Sequence, residues 1–323
     1  MKKLNKKILI TGGAGYIGQN LISFFLKKKY QIYVIDNLSR SMSLNKNLKK
    51  NVNFYKIDLA VENKAKSFFK HKNFDLIIHL AAFSGIQEFN KNVLKSFNNN
   101  VLATKNLVKF AFQKPKTKLI FSSSAAVYGK VSKKKINETH VCQPANYYGL
   151  SKLACENIIY NELKSKKNNY AILRYFNVVG LIVDFKIKKK IYSLYDIISK
   201  NISKKKYKIN INGNNLVTKD GTPERDFIHI SDLCKIHEKT YKYLEKNKRV
   251  VINCGSGIRY SVLSVVRAFE KKINRRFNIS YKITNLDETQ TICADISLLK
   301  NILKTNIEKK KINDLLKDYL WLQ

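Results

Sequence analysis

Lys7-Ile8-Leu9-Ile10-Thr11-Gly12-Gly13-Ala14-Gly15-Tyr16-Ile17-Gly18 joins a short apolar run to a glycine-rich turn, and an amphipathic pattern from Ile17 to Leu26 follows it. The apolar run predicts a strand at Ile8 to Ile10, and the pattern after it predicts a helix. Gly12, Gly15 and Gly18 fall where the chain must turn sharply out of the strand, where backbone must approach an anion closely, and where the helix must pack tightly on the sheet. The helix start then presents free amides and the positive end of its dipole. Alone, three glycines mark a turn. Between a strand and a helix they predict a site for the pyrophosphate of a dinucleotide.

Outward from this segment the first half of the chain alternates short apolar runs with longer amphipathic ones. Strands are expected at Ile32 to Ile35, Phe54 to Ile57, Leu76 to Leu80, Leu119 to Phe121 and Ala171 to Tyr175. Helices are expected at Lys64 to Phe69, Val93 to Phe112 and Tyr148 to Leu163. Strict alternation of this kind implies an α/β fold with a Rossmann-type doubly wound parallel sheet of at least six strands. The rhythm breaks after Asn177. A helix near Tyr192 to Ile202, a strand at Ile209 to Ile211, a turn-rich stretch from Gly213 to Pro223, strands at Phe227 to Ile230 and Val250 to Asn253, and helices after Asp232, near Val262 to Lys271 and near Ile312 to Leu320 follow. The expected division is a dinucleotide-binding domain over 1–177 and a smaller C-terminal α/β substrate domain over 178–323, with segments near 226–245 returning to the first.

Composition narrows the function class. With 323 residues and 44% apolar content, the chain has ample material for a buried core. It contains no run of about 18 apolar residues, and its basic start leads only into Ile8 to Ile10, so neither a membrane span nor a signal-peptide core is expected; the expected location is the cytoplasm. Five cysteines, an odd number and widely spaced, read as reduced thiols. The formal charge of +39 invites a polyanion partner. Only eight of the 62 basic residues are Arg, however, and lysine clusters such as Lys27 to Lys29 and Lys204 to Lys206 are spread along the whole chain. Scatter of this kind describes solvated faces, and no specific nucleic acid is expected. The rival from another class is a non-catalytic Rossmann protein that binds nucleic acid through this basic surface.

The second strand ends at Asp36, 18 residues after Gly18, where a carboxylate accepts hydrogen bonds from ribose hydroxyls and repels a 2′-phosphate. NAD is therefore expected rather than NADP, although Arg40 lies four residues on. Asp58 ends the third strand, where it either faces adenine or caps the loop. Chemistry is expected at the carboxyl end of the fifth strand, in Ser122-Ser123-Ser124. Tyr148 and Lys152, four apart, share one helix face. A tyrosine hydroxyl is a poor base at neutral pH, and a neighbouring ammonium together with a cationic nicotinamide would stabilise its phenolate. Ser124 would then bond the same substrate hydroxyl.

The Gly12 motif, Asp36-Asn37, His79-Leu80-Ala81-Ala82, Asn99, Ser122 to Gly129, Tyr148 to Lys152, Arg174-Tyr175-Phe176-Asn177 and Arg225-Asp226-Phe227-Ile228-His229 together resemble the UDP-glucose 4-epimerase family of extended short-chain dehydrogenases. The resemblance spans nearly the whole chain. It implies NAD contacts from Gly12, Gly15, Tyr16, Ile17, Gly18, Asp36, Asn37, Asp58, Leu59, Leu80, Ala81, Ala82, Asn99, Ser122, Tyr148, Lys152 and Phe176. It implies a catalytic set of Ser124, Tyr148 and Lys152, and a sugar nucleotide held by Ser124, Tyr148, Asn177, Leu194, Arg225 and Ile292. The implied reaction inverts carbon 4 of UDP-glucose or UDP-galactose through a 4-keto intermediate, with a homodimer pairing the helices at Val93 to Phe112 and Tyr148 to Leu163. UDP-glucuronate epimerisation or decarboxylation is the near alternative. Ala125 and Ala126 replace the Asp-Glu pair of related dehydratases. Other departures are Ser84 in place of a cofactor-contacting Lys, Val178 in place of Pro, Ser193-Leu194 in place of an Asn-Leu pair, Asn285 in place of a phosphate-binding Arg, and Ile292 in place of a Tyr that crowds the sugar. With Ile292 there, N-acetylated hexoses are also expected to fit.

Overall fold

The computed structural model describes residues 6–40, 43–84, 89–113, 116–131, 135–181, 193–282, 290–305, 307, 310–316 and 318–319. In chain order its strands are β1 (Lys7–Thr11), β2 (Gln31–Ile35), β3 (Asn53–Tyr55), β4 (Leu76–His79), β5 (Lys118–Ser124), β6 (Tyr170–Tyr175), β7 (Asn177–Val179), β8 (Lys208–Asn212), β9 (Glu224–His229), β10 (Arg249–Cys254), β11 (Arg259–Ser261), β12 (Asn278–Lys282) and β13 (Thr291–Ile292). The longer helices are α1 (Tyr16–Lys27), α2 (Glu62–Phe69), α3 (Val93–Ala111), α4 (Tyr147–Ser165), α5 (Leu194–Ser203), α6 (Ile230–Tyr243) and α7 (Val262–Ile273).

Seven strands form one sheet in the order β10-β6-β5-β4-β1-β2-β3, every neighbouring pair parallel. Side chains alternate across it, and both faces are covered. On one face Ile8, Ile10, Ile78 and Ile120 share a core with Leu21, Ile22 and Phe25 of α1 and Leu233 and Ile236 of α6. On the other, Leu9, Ile77, Leu119 and Phe121 meet Phe68 of α2, Leu107 of α3 and Ile159 of α4. A sheet buried on both sides must read as continuous apolar runs, which is why β1 and β4 show so little polar alternation. The strand order reverses between β1 and β4, which opens a crevice at their carboxyl ends.

The seventh strand of this sheet is β10, whose Val251 and Ile252 pair with Ile172 and Leu173 of β6. A smaller core gathers Tyr195 and Ile198 of α5, Val265, Val266 and Phe269 of α7, and Ile209, Ile211 and Phe227. Around it β9 pairs with β7, β11 and β13, and β8 pairs with β12. The third strand ends at Tyr55, two residues short of the expected Ile57. The helix expected near Tyr192 starts at Leu194, after Ser193 and Asp196 close a reciprocal cap; Tyr192 itself lies outside the described residues. The last expected helix runs Ile312–Leu316, and its expected end at Leu320 also lies outside them.

Candidate active site

The first wall of the site is the turn between β1 and α1. Gly12 has φ +68°, and a Cβ there would lie 2.7 Å from the Ala81 backbone nitrogen, so no side chain fits. At Gly18 a Cβ would lie 2.6 Å from the Gly13 Cα, which measures how tightly α1 packs on its own loop. Gly15 is the N-cap of α1 and offers no side-chain cap, so the first turn of the helix turns its dipole and amides to the crevice. Beneath the loop, His79 bridges Thr11 Oγ1 at 2.7 Å and Thr104 Oγ1 at 3.1 Å. Burial pushes the His79 imidazole down to about 3, so it stays a neutral peg joining β1, β4 and α3.

At the end of β2 the Asp36 carboxylate accepts the amides of Ala14 at 3.0 Å and Leu38 at 2.8 Å, one on each oxygen, and burial raises its pKa. Each oxygen keeps further capacity to accept a hydrogen bond. Asn37 donates to Asp58 at 3.0 Å, while the other Asp58 oxygen caps Ala60 at 2.9 Å. The loop-capping role of Asp58 is thus present in the fold. Arg40 lies against the Phe83 ring, 5.0 Å from its centroid, and donates to the Ser84 carbonyl.

The second wall is β5 with the start of α4. Asn146 caps α4 by accepting the Gly149 amide at 2.9 Å, and Gly149 sits so close to the turn after β5 that a Cβ would lie 2.4 Å from the Ala126 carbonyl oxygen. This contact brings Tyr148 beside Ser124, whose hydroxyl partly offsets the upward push of burial on the phenol. Lys152 is 3% exposed and donates to the Ser122 carbonyl at 2.8 Å. Burial pushes the Tyr148 hydroxyl up to about 12 and the Lys152 ammonium down to about 8. In the protein by itself burial therefore outweighs the neighbouring charge, and at pH 7 Tyr148 keeps its proton while Lys152 is a cation.

Both walls open on one cleft of about 400 Å³. Gly12, Gly15, Tyr16, Ile17, Gly18, Asp36, Asn37, Asp58, Leu59, Leu80, Ala81, Ala82, Asn99, Ser122, Tyr148, Lys152 and Phe176 line it, as do Ser124, Asn177 and Leu194. Arg225 and Ile292 do not. They are register partners across β9 and β13, with Arg225 donating to the Gln290 carbonyl at 3.2 Å and Ile292 packed on the apolar group that includes Phe176. Asn285 lies outside the described residues. Phe83 and Tyr175 also line the cleft; Tyr175 stands in the Arg174 to Asn177 motif but neither residue has an expected site role, since nothing local marks a buried aromatic as a wall. Among the described residues no group of His, Cys, Asp or Glu is placed to hold a metal ion, and no helix is long and apolar enough to cross a membrane.

A Rossmann sheet whose glycine loop shares its cleft with a Ser, Tyr and Lys set defines a dinucleotide-dependent enzyme of the short-chain dehydrogenase type. Residues 8–255 match the NAD dependent epimerase/dehydratase family, and the chain belongs to it. It is similar to the UDP-glucose 4-epimerase of Bacillus subtilis, with 35% identity over 92% of this chain and 91% of the relative. Among solved structures it is similar to the UDP-glucose 4-epimerase of Bifidobacterium longum in complex with NAD+ and UDP, with a TM-score of 0.87, 29% identity and coverage of 98% and 97% of the two chains. It is also similar to the UDP-Glc/GlcNAc 4-epimerase of Campylobacter jejuni, with a TM-score of 0.83, 32% identity and 98% of each chain covered.

Proposed function

We propose that this protein interconverts UDP-glucose and UDP-galactose by inverting carbon 4 through a 4-keto intermediate, with NAD as its resident cofactor. The observation that carries this reading is the single cleft shared by the glycine loop and Tyr148, Lys152 and Ser124. The donor set fits a dinucleotide: an uncapped helix start for a pyrophosphate and a buried carboxylate with free lone pairs for ribose hydroxyls. Gly12 to Gly18, Asp36, Asn37, Asp58, Leu80 to Ala82, Asn99 and Lys152 would hold it. When bound, NAD supplies a hydride acceptor for carbon 4 and a positive charge to the cleft.

The chain's own residues move the proton. Tyr148 takes it from the carbon 4 hydroxyl and returns it after the keto sugar has turned its other face, while Ser124 holds the same oxygen. Because burial favours the protonated phenol, Tyr148 becomes a base only as positive charge gathers around it, and Lys152 supplies one such charge. Asn177, Leu194, Arg225 and Ile292 are assigned to the sugar nucleotide, the guanidinium suiting a diphosphate. Residues 1–177 serve the cofactor and residues 178–323 mainly the substrate, with α6 of the expected returning segment 226–245, and β10 beyond it, belonging to the first unit while β9 lies with the second. The working form is a cytoplasmic homodimer built on α3 and α4.

The test is a sugar-nucleotide assay on the purified protein with UDP-galactose and UDP-N-acetylgalactosamine. Conversion of the first to UDP-glucose is expected, and no conversion of either would end this reading. Ile292 in place of a crowding ring predicts turnover of the acetylated sugar too, selectively lost in Ile292→Tyr.

A further inference from the structure

α4 carries Tyr148, Lys152 and Glu156 at successive four-residue steps, so the three side chains follow one face of the helix. Each meets one of three consecutive serines of β5. Tyr148 lies beside Ser124, Lys152 donates to the Ser122 carbonyl, and Glu156 accepts the Ser123 hydroxyl. Arg174 stands opposite Ser123 in the β5–β6 register, so its side chain emerges beside that hydroxyl on the same sheet face. It grips both oxygens of Glu156, Nε to Oε1 at 3.1 Å and Nη2 to Oε2 at 2.7 Å. Behind it Tyr128 accepts from Arg174 at 2.9 Å and donates to Asn253 at 2.7 Å. Ser123, Glu156 and Arg174 are all buried.

We propose that Ser123, Glu156 and Arg174 form a positioning cluster that fixes the rotation and depth of α4 on β5, and with them the places of Tyr148 and Lys152; this rests on the reaction proposed above. Apolar contacts of Ile159 and Leu163 hold the later turns of α4 against the sheet and α3, and the Glu156 attachment adds a directional polar contact to β5 between them and Lys152. Net stability is a weak reason for the pair, since a buried ion pair is commonly matched by apolar residues of similar volume. Its placement also bears on Lys152. The charged and titratable groups that act on that ammonium are Cys155 and Glu156 on α4 and neutral His79 on β4, with Tyr148 one turn before it on α4 and Arg174 of β6 behind, paired to Glu156. Cys155 and, after it, Glu156 support the Lys152 charge against burial.

Two variants separate positioning from packing. Ser123→Ala deletes one hydroxyl, folds without its partners, and is expected to lower kcat about tenfold with KM nearly unchanged, as a small misplacement of reacting groups does. The double variant Glu156→Leu/Arg174→Met replaces the pair by apolar side chains and is expected to unfold at the wild-type temperature. Its kcat should nevertheless fall at least about tenfold. Its NAD affinity, titrated by calorimetry against pH, should begin to fall at a lower pH than in the wild type, because Lys152 has lost one of the two groups that support its charge. A double variant with wild-type turnover and wild-type pH dependence, or a Ser123→Ala variant with unchanged kcat, overturns the proposal. If the double variant fails to fold, Ser123→Ala decides. If the wild type leaves UDP-hexoses unchanged, the reaction falls, while the NAD titrations, which need no sugar, still judge the cluster.

Discussion

Lys152 shows what the site costs the fold. Its ammonium is charged in both folded and unfolded chains below about pH 8, and burying that charge costs on the order of 3 kcal/mol from the fall from 10.5 to about 8. Between those values the unfolded chain binds the extra proton, so stability rises with pH across that window and the penalty fades. Against this stands one hydrogen bond to Ser122, worth roughly 1.5 to 3 kcal/mol for a charged donor. In the cofactor-free protein Lys152→Met is therefore expected to be at least as stable as the wild type in urea at pH 7, with any advantage shrinking toward pH 10, and to have lost turnover. A Met variant that is markedly less stable at pH 7 would show that the ammonium is not paying a burial penalty. Tyr148→Phe makes the complementary case: it removes only the hydroxyl that exchanges the proton, so turnover should fall by about 100-fold or more with the far-UV spectrum and NAD content unchanged.

At the scale of elements, Gly149 sets helix propensity against packing. Ala in the first turn of α4 would favour the helix by about 1 kcal/mol over Gly. Its Cβ, however, would lie 2.4 Å from the Ala126 oxygen and 2.9 Å from the carbonyl carbon, both backbone atoms two residues after Ser124. Relief requires α4 to back away, drawing Tyr148 and Lys152 off β5. Gly149→Ala is thus expected to lower the melting temperature and to reduce kcat by at least about tenfold, whereas Asn157→Ala on the exposed face of the same helix should do neither. A Gly149→Ala protein with wild-type kcat would refute the close fit. The same helix shows what the sequence makes legible. Strand, turn and helix around Gly12 declare themselves because each is a local pattern, and the four-residue step from Tyr148 to Lys152 is local as well. Glu156 lies one step further on, but its role depends on Ser123 and Arg174, which only the β5–β6 register brings beside it. The short strands β7, β11 and β13 went unread for a related reason: two or three residues cannot show a period, and their pairing on β9 is a long-range event.

The whole molecule carries +39, and two copies can associate only if contact between apolar surfaces outweighs that repulsion. α3 and α4 offer such a surface. Phe110, Val101 and Leu107 are committed to the core of one chain, but Leu94 is 76% exposed, Tyr147 56%, Leu150 44%, Tyr160 42% and Leu102 40%. A stable interface buries about 1,200 Å² or more in total, which two paired helices from each copy can supply. Salt then separates two kinds of dimer. If ion pairs held the copies together, added salt would weaken them; if apolar contact holds them against like charge, added salt shortens the range of repulsion to about 10 Å at 0.1 M and strengthens association. Light scattering is expected to give a mass of twice 37.4 kDa in 0.3 M salt, with a growing monomer fraction as salt is lowered tenfold. Leu94→Glu/Leu102→Glu changes side chains that the monomer leaves in solvent, so it should fold normally and remain a monomer at both salts. A single-copy mass for the wild type at every salt would remove the homodimer. Association that weakens as salt rises would assign it to ion pairs instead of these helix faces.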